Sequence, residues 1–513
     1  MKWDLTDIYK DEKAWGKDYK ECEKLLKELE EYKNKLNSFE IFEEFLTKRE
    51  TLEIKLYELF PYAKMSYDLN MKDQEKEARL QKIQLLLSKV SEKLSWVDPE
   101  IISIGEKIVF SYINKSKKLK EYKYPFESLF NEQKHILDKE QEQLLSYFSL
   151  FYGMPSSIYN ALSIADAKPQ KVKLSDGKEI EISSQNYTSF LLKLEKQEDR
   201  KKVFEALYST LEDNKTTYAN IYGAIIKKNI AIMKARKYDS FLNLFLDAEK
   251  IPIEVYTNLI KITKKGTKSL KKYISLRKRV LELKEYYAFD RFVPLVKNDK
   301  KYSYEEAKSI VLDAVKSTPI DYQEKVRKVM QDGYIDVKSN SNKCNGAYAW
   351  GTYLSHPYIL LNFEETLNDV ETLAHEAGHS VHTLYAMEGQ PYATYSYSIF
   401  VAEVASTFLE RIVLDYLIEK SNDKNEKIYL LQTMIDRLVA TFYRQVMFAD
   451  YEYEAHSLFL KGEAITEKTL SDIFIKLYKE YYDLNLNKDY LKRLIWAYVS
   501  HFFKSPFYVY KYA

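Results

Sequence analysis

His375 and His379 stand four residues apart in the run His375-Glu376-Ala377-Gly378-His379. In a helix, positions i and i+4 share one face, so both imidazoles can grip one metal ion while Glu376 projects beside them. A zinc ion held in this way polarises a peptide carbonyl and activates water, and the glutamate is placed to accept the water's proton. Composition alone predicts about 0.014 matches to H-E-x-x-H in a chain of this length, which leaves packed or surface histidines as the weaker explanation. His382, three residues beyond His379, points in a different direction from the pair and reads as a supporting or packing residue.

Catalytic zinc sites usually take three protein ligands and keep one position open. A third donor is offered between 398 and 414, where Glu403, Ser406, Thr407 and Glu410 form a polar stripe in a mostly apolar helical segment. Solvent exposure is the plain explanation of that stripe. The sharper one makes Glu403 the third ligand, with Ser406 and Glu410 supporting the site through hydrogen bonds. For the motif helix, Asn368 is the expected N-cap with Glu371 three residues on, and Gly389 and Pro391 are stop signals. Upstream, Tyr358 to Leu361 is a short β-prone run bounded by Pro357 and Asn362. Its backbone, with that of Gly346, Ala347 and Tyr348, could pair with an extended peptide by strand addition.

The elements that carry these residues are expected to be mainly α-helical. Glycine (12) and proline (11) are scarce among 513 residues, which leaves few turns for an all-β fold. Lys+Arg (79) nearly balances Asp+Glu (77), so no basic surplus points to nucleic acid or an anionic membrane. Cys22 and Cys344 are too few for a disulfide framework. The N-terminal residues lack the apolar stretch of a signal peptide, and no apolar run reaches membrane-spanning length, so a cytoplasmic protein is expected.

From Asp11 to Asn114, apolar residues recur at helical spacing, with Pro61 and Pro99 expected to interrupt them in a helical bundle. Ser175-Asp176-Gly177 sits between alternating segments and predicts a small β-hairpin over 171–182. A boundary near 200 would separate an N-terminal helical domain (1–200) from a catalytic domain (201–513). Helical spacing resumes from Asp199 to Leu283 and from Asn298 to Val337, and the Gly-, Ser- and Asn-containing stretch from Asp332 to Gly346 reads as loop.

The same residues resemble the thimet oligopeptidase and oligoendopeptidase F group of zinc peptidases. That group's H-E-x-G-H, followed about two dozen residues later by a ligand glutamate, is matched by His375, Glu376, Gly378, His379 and Glu403. Phe400 to Thr407 looks like the oligoendopeptidase F version, and the likeness extends from Trp3-Asp-Leu-Thr-Asp7 to the closing segment His501 to Tyr512. The resemblance implies a thimet oligopeptidase/neurolysin-like fold, with two helical halves flanking a deep channel and a small β-sheet near the zinc helix. It also implies one zinc ion and short peptide substrates. His501 matches a histidine that faces the scissile carbonyl in this group, and Tyr510, then Tyr508, match its tyrosine. Relatives usually continue with more helix beyond this segment, so a truncated or naturally short form is implied.

No G-x-S-x-G elbow or cysteine nucleophile pattern competes with this chemistry. Two alternatives stay open: a zinc exopeptidase of the dipeptidyl carboxypeptidase kind, and a non-catalytic helical scaffold that binds peptides and keeps zinc as a tie. The oligomeric state is not specified by any feature of the chain.

Overall fold

Long runs of Leu, Lys and Glu with few helix breakers produce the helices that dominate the computed structural model, which describes residues 2–513 except 138–140, 142, 143, 146, 147, 149, 150, 185, 341, 345 and 487–489. Among the described residues there are five short strands: β1 (Gln170–Lys173), β2 (Glu179–Ile182), β3 (Ile335–Lys338), β4 (Tyr348–Trp350) and β5 (Tyr358–Phe363). The chain forms two compact units, one from Met1–Lys134 and Asp299–Lys420, the other from His135–Asn298 and Ser421–Ala513. These units do not follow a division at 200, because the chain leaves each unit and later returns to it.

The first unit opens with helices Glu12–Glu30, Phe39–Asp68 and Gln74–Lys93. Their N-caps Asp11, Ser38 and Asp73 accept the backbone N–H of Ala14, Ile41 and Lys76, which satisfies donors that a helix start leaves free. Their apolar faces meet in one core that includes Trp15, Phe42, Phe45, Leu59, Ile83 and Ile101. Pro61, expected to interrupt, lies inside the second of these helices and is buried. Burial along 30 residues outweighs the one hydrogen bond a proline removes. Pro99 and Pro125 fall in the first turns of Val97–Ile104 and Lys123–Glu132, where a missing N–H costs nothing.

The unit's sheet has the order β3-β5-β4, with β3 parallel and β4 antiparallel to β5. The expected strand at Tyr358 to Leu361 is present and runs on to Phe363. β3, by contrast, lies in the stretch read as loop. Its alternation is masked by Asp336, which is buried because the Lys343 ammonium binds its carboxylate at 2.5 Å and the Lys338 carbonyl at 2.9 Å. The N-terminus straps the sheet: Trp3 donates its indole N–H to the Ile359 carbonyl at 2.8 Å and packs with Met65, Tyr358 and Leu360.

The second unit carries the expected hairpin β1–β2, with Gly177 at φ +88° in its turn, a conformation glycine adopts without strain. The turn is tied to the helix Gln197–Asp213, since Asp199 accepts both the N–H and the hydroxyl of Ser175 at 2.7 Å. No helix among the described residues is long and apolar enough to cross a membrane.

Trp3→Ala should remove both the indole hydrogen bond and a buried ring, lowering unfolding free energy by about 3–5 kcal/mol. Urea denaturation of the variant against the parent checks this.

Candidate active site

The motif helix spans Leu367–Gly389. Its N-cap is Thr366 rather than the expected Asn368: Thr366 and Asp369 form a capping box in which the Asp369 carboxylate accepts from Thr366 N at 2.9 Å. Asn368 is already inside the helix because β5 delivers the chain two residues earlier. The stop at Gly389 is where it was expected.

Against this helix lies a second one, Ile399–Lys420. Gly378 makes the contact possible: a Cβ there would lie 2.6 Å from the Ala405 carbonyl oxygen and 2.7 Å from Ser406 Cα. Both obstacles are backbone and cannot swing aside. The close approach brings Glu403 over the two histidines. His375 Nε2 and His379 Nε2 are 3.1 Å apart, and Glu403 Oε2 is 3.5 Å from the first and 3.6 Å from the second. The three residues form a group able to hold a metal ion.

Those spacings fit an ion. A tetrahedron with metal–ligand bonds of about 2.0–2.1 Å has edges of about 3.3 Å. The donor set fits as well. Glu410 Oε1 lies 2.5 Å from His375 Nδ1, so this nitrogen carries the proton and Nε2 presents a lone pair toward the group. Ser406, fully buried, donates its hydroxyl to Glu403 Oε2 at 2.9 Å and orients that carboxylate. Both supporting residues of the expected polar stripe therefore touch the group, whereas Thr407 bonds back to the Glu403 carbonyl. His382 is directed elsewhere and stacks on Tyr397 with ring centroids 3.7 Å apart.

Glu376 is 6% exposed. Burial pushes its carboxyl up to about 7, against the opposing pull of His375 and the Ala349 N–H, while Glu403 and Glu410 raise it further. Burial also pushes the His375 imidazole down, but Glu410, Glu376 and Glu403 overcome this and the net shift is upward. A cation at the centre would favour the ionised glutamate and displace a proton from the histidine.

Ala349, whose N–H reaches Glu376, lies in edge strand β4 with Tyr348. The neighbouring Gly346 has φ +84°, and its carbonyl accepts from the Asn362 amide at 2.7 Å. Ala347 is half-buried, and the Tyr348 hydroxyl turns away to donate to Asp68 at 2.8 Å.

In the second unit, the chain doubles back after the short helix Ser500–Lys504 and brings tyrosines to His501. Tyr508 stacks on its imidazole at 5.9 Å and 21°, and the Tyr512 hydroxyl is 3.3 Å from His501 Nε2. Tyr510 is not in this cluster. It is 1% exposed and packs edge-on against Tyr256 at 5.0 Å, and burial raises its phenol pKa. Tyr512 and Ala349 were not singled out by sequence reasoning, and Gly378 was read only as part of the H-E-x-G-H pattern, not as a point of close helix contact. Glycine inside a helix was the one available signal, since it usually marks close packing; nothing in the pattern distinguished the other two.

A sequence model described as peptidase family M3 matches residues 190–513, and one described as oligopeptidase F matches residues 100–168. The chain is 35% identical over 513 residues to the oligopeptidase PepF of Bacillus subtilis (strain 168), covering all of this chain and 76% of that one. It is 33% identical over 515 residues to an oligoendopeptidase F homolog of Borreliella burgdorferi, covering 100% and 86%. Among solved structures, oligoendopeptidase-F from Enterococcus faecium is similar with a TM-score of 0.71 and 26% identity, over 98% of this chain and 85% of that one. A crystal structure from Chlamydophila abortus is similar with a TM-score of 0.91 and 31% identity, over 100% and 86%.

Gly378→Ala should force the two site helices apart and so separate Glu403 from the histidines. The expected result is at least a tenfold weaker uptake of zinc by the folded variant, of the size seen when orienting contacts are lost, measured by competition with a chelating indicator. Unchanged affinity would show that the close helix contact does not set the donor geometry.

Proposed function

The chain belongs to peptidase family M3, and from that premise we propose that it is a zinc-dependent endopeptidase that hydrolyses short peptides. The observation that carries this reading is the convergence of His375 Nε2, His379 Nε2 and Glu403 Oε2 beside a buried glutamate. Two imidazoles and one carboxylate are the donor set of a catalytic zinc site with an open position. Zinc, when bound, supplies Lewis acidity to the peptide carbonyl and to water.

The chain's own residues do the rest. Glu376 accepts the proton of the attacking water and passes it to the leaving nitrogen. Its environment suits both halves of that task, because burial holds its affinity for a proton well above that of an exposed carboxylate. Glu410 keeps His375 in the tautomer that presents Nε2, and Ser406 fixes Glu403. The backbone of Gly346 and Ala347, leading into Tyr348 of edge strand β4, is offered to an extended peptide. His501 is assigned contact with the substrate carbonyl on the family resemblance. Tyr508, which stacks on it, is a better choice than the buried Tyr510 for donating to the developing oxyanion.

Short peptides are the proposed substrates because the named relatives are oligopeptidases and oligoendopeptidases. A cytoplasmic location is supported by the two free cysteines, Cys22 and Cys344.

Glu376→Gln should retain zinc and fold while peptidase activity is abolished, because the amide cannot take up the proton. Metal analysis together with cleavage of a quenched fluorescent peptide checks both halves; near-normal turnover would remove Glu376 from the mechanism. His375→Ala, His379→Ala and Glu403→Ala should each lower zinc content itself. Tyr508→Phe should reduce kcat by about 10²–10³-fold, as for other oxyanion donors, with KM and zinc little changed. Tyr510→Phe should instead keep turnover within a few-fold and lower Tm. The reverse pattern would return the role to Tyr510.

A further inference from the structure

The hairpin that carries His501 and its tyrosines turns at a corner whose geometry is unfavourable in isolation. Ser505 N–H closes the helix by donating to the His501 carbonyl at 2.8 Å. Pro506 follows, and Phe507 then adopts φ +57°, a left-handed conformation that costs a non-glycine residue about 1–2 kcal/mol. Directly after it come Tyr508 and the turn Val509–Tyr512, so the corner determines where the tyrosines return relative to His501.

Two things hold Phe507 there. Its ring is 2% exposed and packed among Phe241, Phe245, Tyr256 and His456, with centroids 4.6–5.9 Å away. Its backbone N–H donates at 2.9 Å to Oε1 of Glu452, a fully buried residue 55 positions earlier. Glu452 sits on the helix Arg444–Leu460. One turn on, His456 is locked at both ring nitrogens: Nδ1–H donates to the Glu452 carbonyl at 2.9 Å, and Nε2 accepts from the Asn229 amide at 3.1 Å.

A buried carboxyl is an expensive way to satisfy one N–H. No ion pair to Glu452 exists among the described residues, and its Oε2 has no hydrogen-bond partner among them. Burial pushes the group up to about 8, which favours the neutral acid. An apolar core would be served as well by leucine at this position. What leucine could not do is accept the Phe507 N–H.

We propose that Glu452 is a positioning residue whose buried carboxyl fixes the Phe507 corner and thereby sets how Tyr508 and Tyr512 approach His501. The inference rests on the role proposed above for His501 and Tyr508.

Three substitutions test it on the zinc-loaded protein. Glu452→Leu removes the acceptor, Glu452→Asp retracts it by one methylene, and Glu452→Gln keeps an acceptor of the same length without the acid. The Leu and Asp variants should lose 10–100-fold in kcat with KM and zinc content within threefold of the parent, and the Gln variant should recover most of that loss. If Leu does not fold, Asp supplies the measurement. In a Tyr508→Phe background, the same changes at 452 should cost no more than about threefold, because residues that act through one another are not additive. A folded Leu or Asp variant with parental kcat, a Gln variant as poor as Leu, or full additivity with Tyr508→Phe would each overturn the proposal. Failure of the underlying reading is distinguishable: it would show as parental kcat in Tyr508→Phe and His501→Ala themselves.

Discussion

The whole metal group depends on the distance between two helix backbones. Three donor atoms can share one ion only if the helix bearing Glu403 approaches the helix bearing His375 and His379 within side-chain reach of the carboxylate. Gly378 permits that approach, since any Cβ at this position would sit 2.6 Å from the Ala405 carbonyl. A glycine inside a helix costs about 1 kcal/mol relative to alanine. Here the cost is offset by a contact that no other residue allows. The sheet serves the same end: β5 leads into the Thr366 cap, and Trp3 pins β5 from beneath through Ile359.

Electrostatics then sets the chemical character of the group. Three carboxylates, Glu376, Glu403 and Glu410, surround two imidazoles; burial raises the carboxyl of Glu376, the most buried of the three, and repulsion from Glu403 and Glu410 adds to that shift. Each has a separate task because each has a separate partner. Glu410 binds the outer nitrogen of His375, Ser406 holds Glu403, and the Ala349 N–H reaches Glu376. His375, His379 and Glu403 would hold a divalent ion whose charge would offset that repulsion, so binding would be tied to loss of a proton from the site.

The second unit solves a different problem, that of giving a tyrosine-rich tail one conformation. Aromatic rings tolerate many packings, so apolar burial alone would leave the tail poorly specified. Directional contacts remove the ambiguity: Glu452 to the Phe507 N–H, His456 between Glu452 and Asn229, and Tyr512 to His501. The left-handed Phe507 is the local cost of that single solution.

His375, Glu376 and His379 were legible because their spacing is a property of one helix turn, and i, i+4 geometry is the same wherever the helix packs. The stripe of Glu403, Ser406 and Glu410 was legible for the same reason, as was the β1–β2 hairpin from its Asp-Gly turn. The family resemblance added His501 but left its tyrosine open. Alternating residues 508, 510 and 512 have equivalent local sequence context; only packing against Tyr256 decided that Tyr510 turns inward while Tyr508 and Tyr512 face His501. β3 was likewise invisible because its partner β5 is more than twenty residues away and Asp336 disguises it, and Thr366 displaced Asn368 as cap because the sheet fixes where the chain enters the helix. Spacing within an element is encoded locally. Which faces of different elements meet is decided by burial and by long-range hydrogen bonds, and these exist only once the tertiary structure has formed.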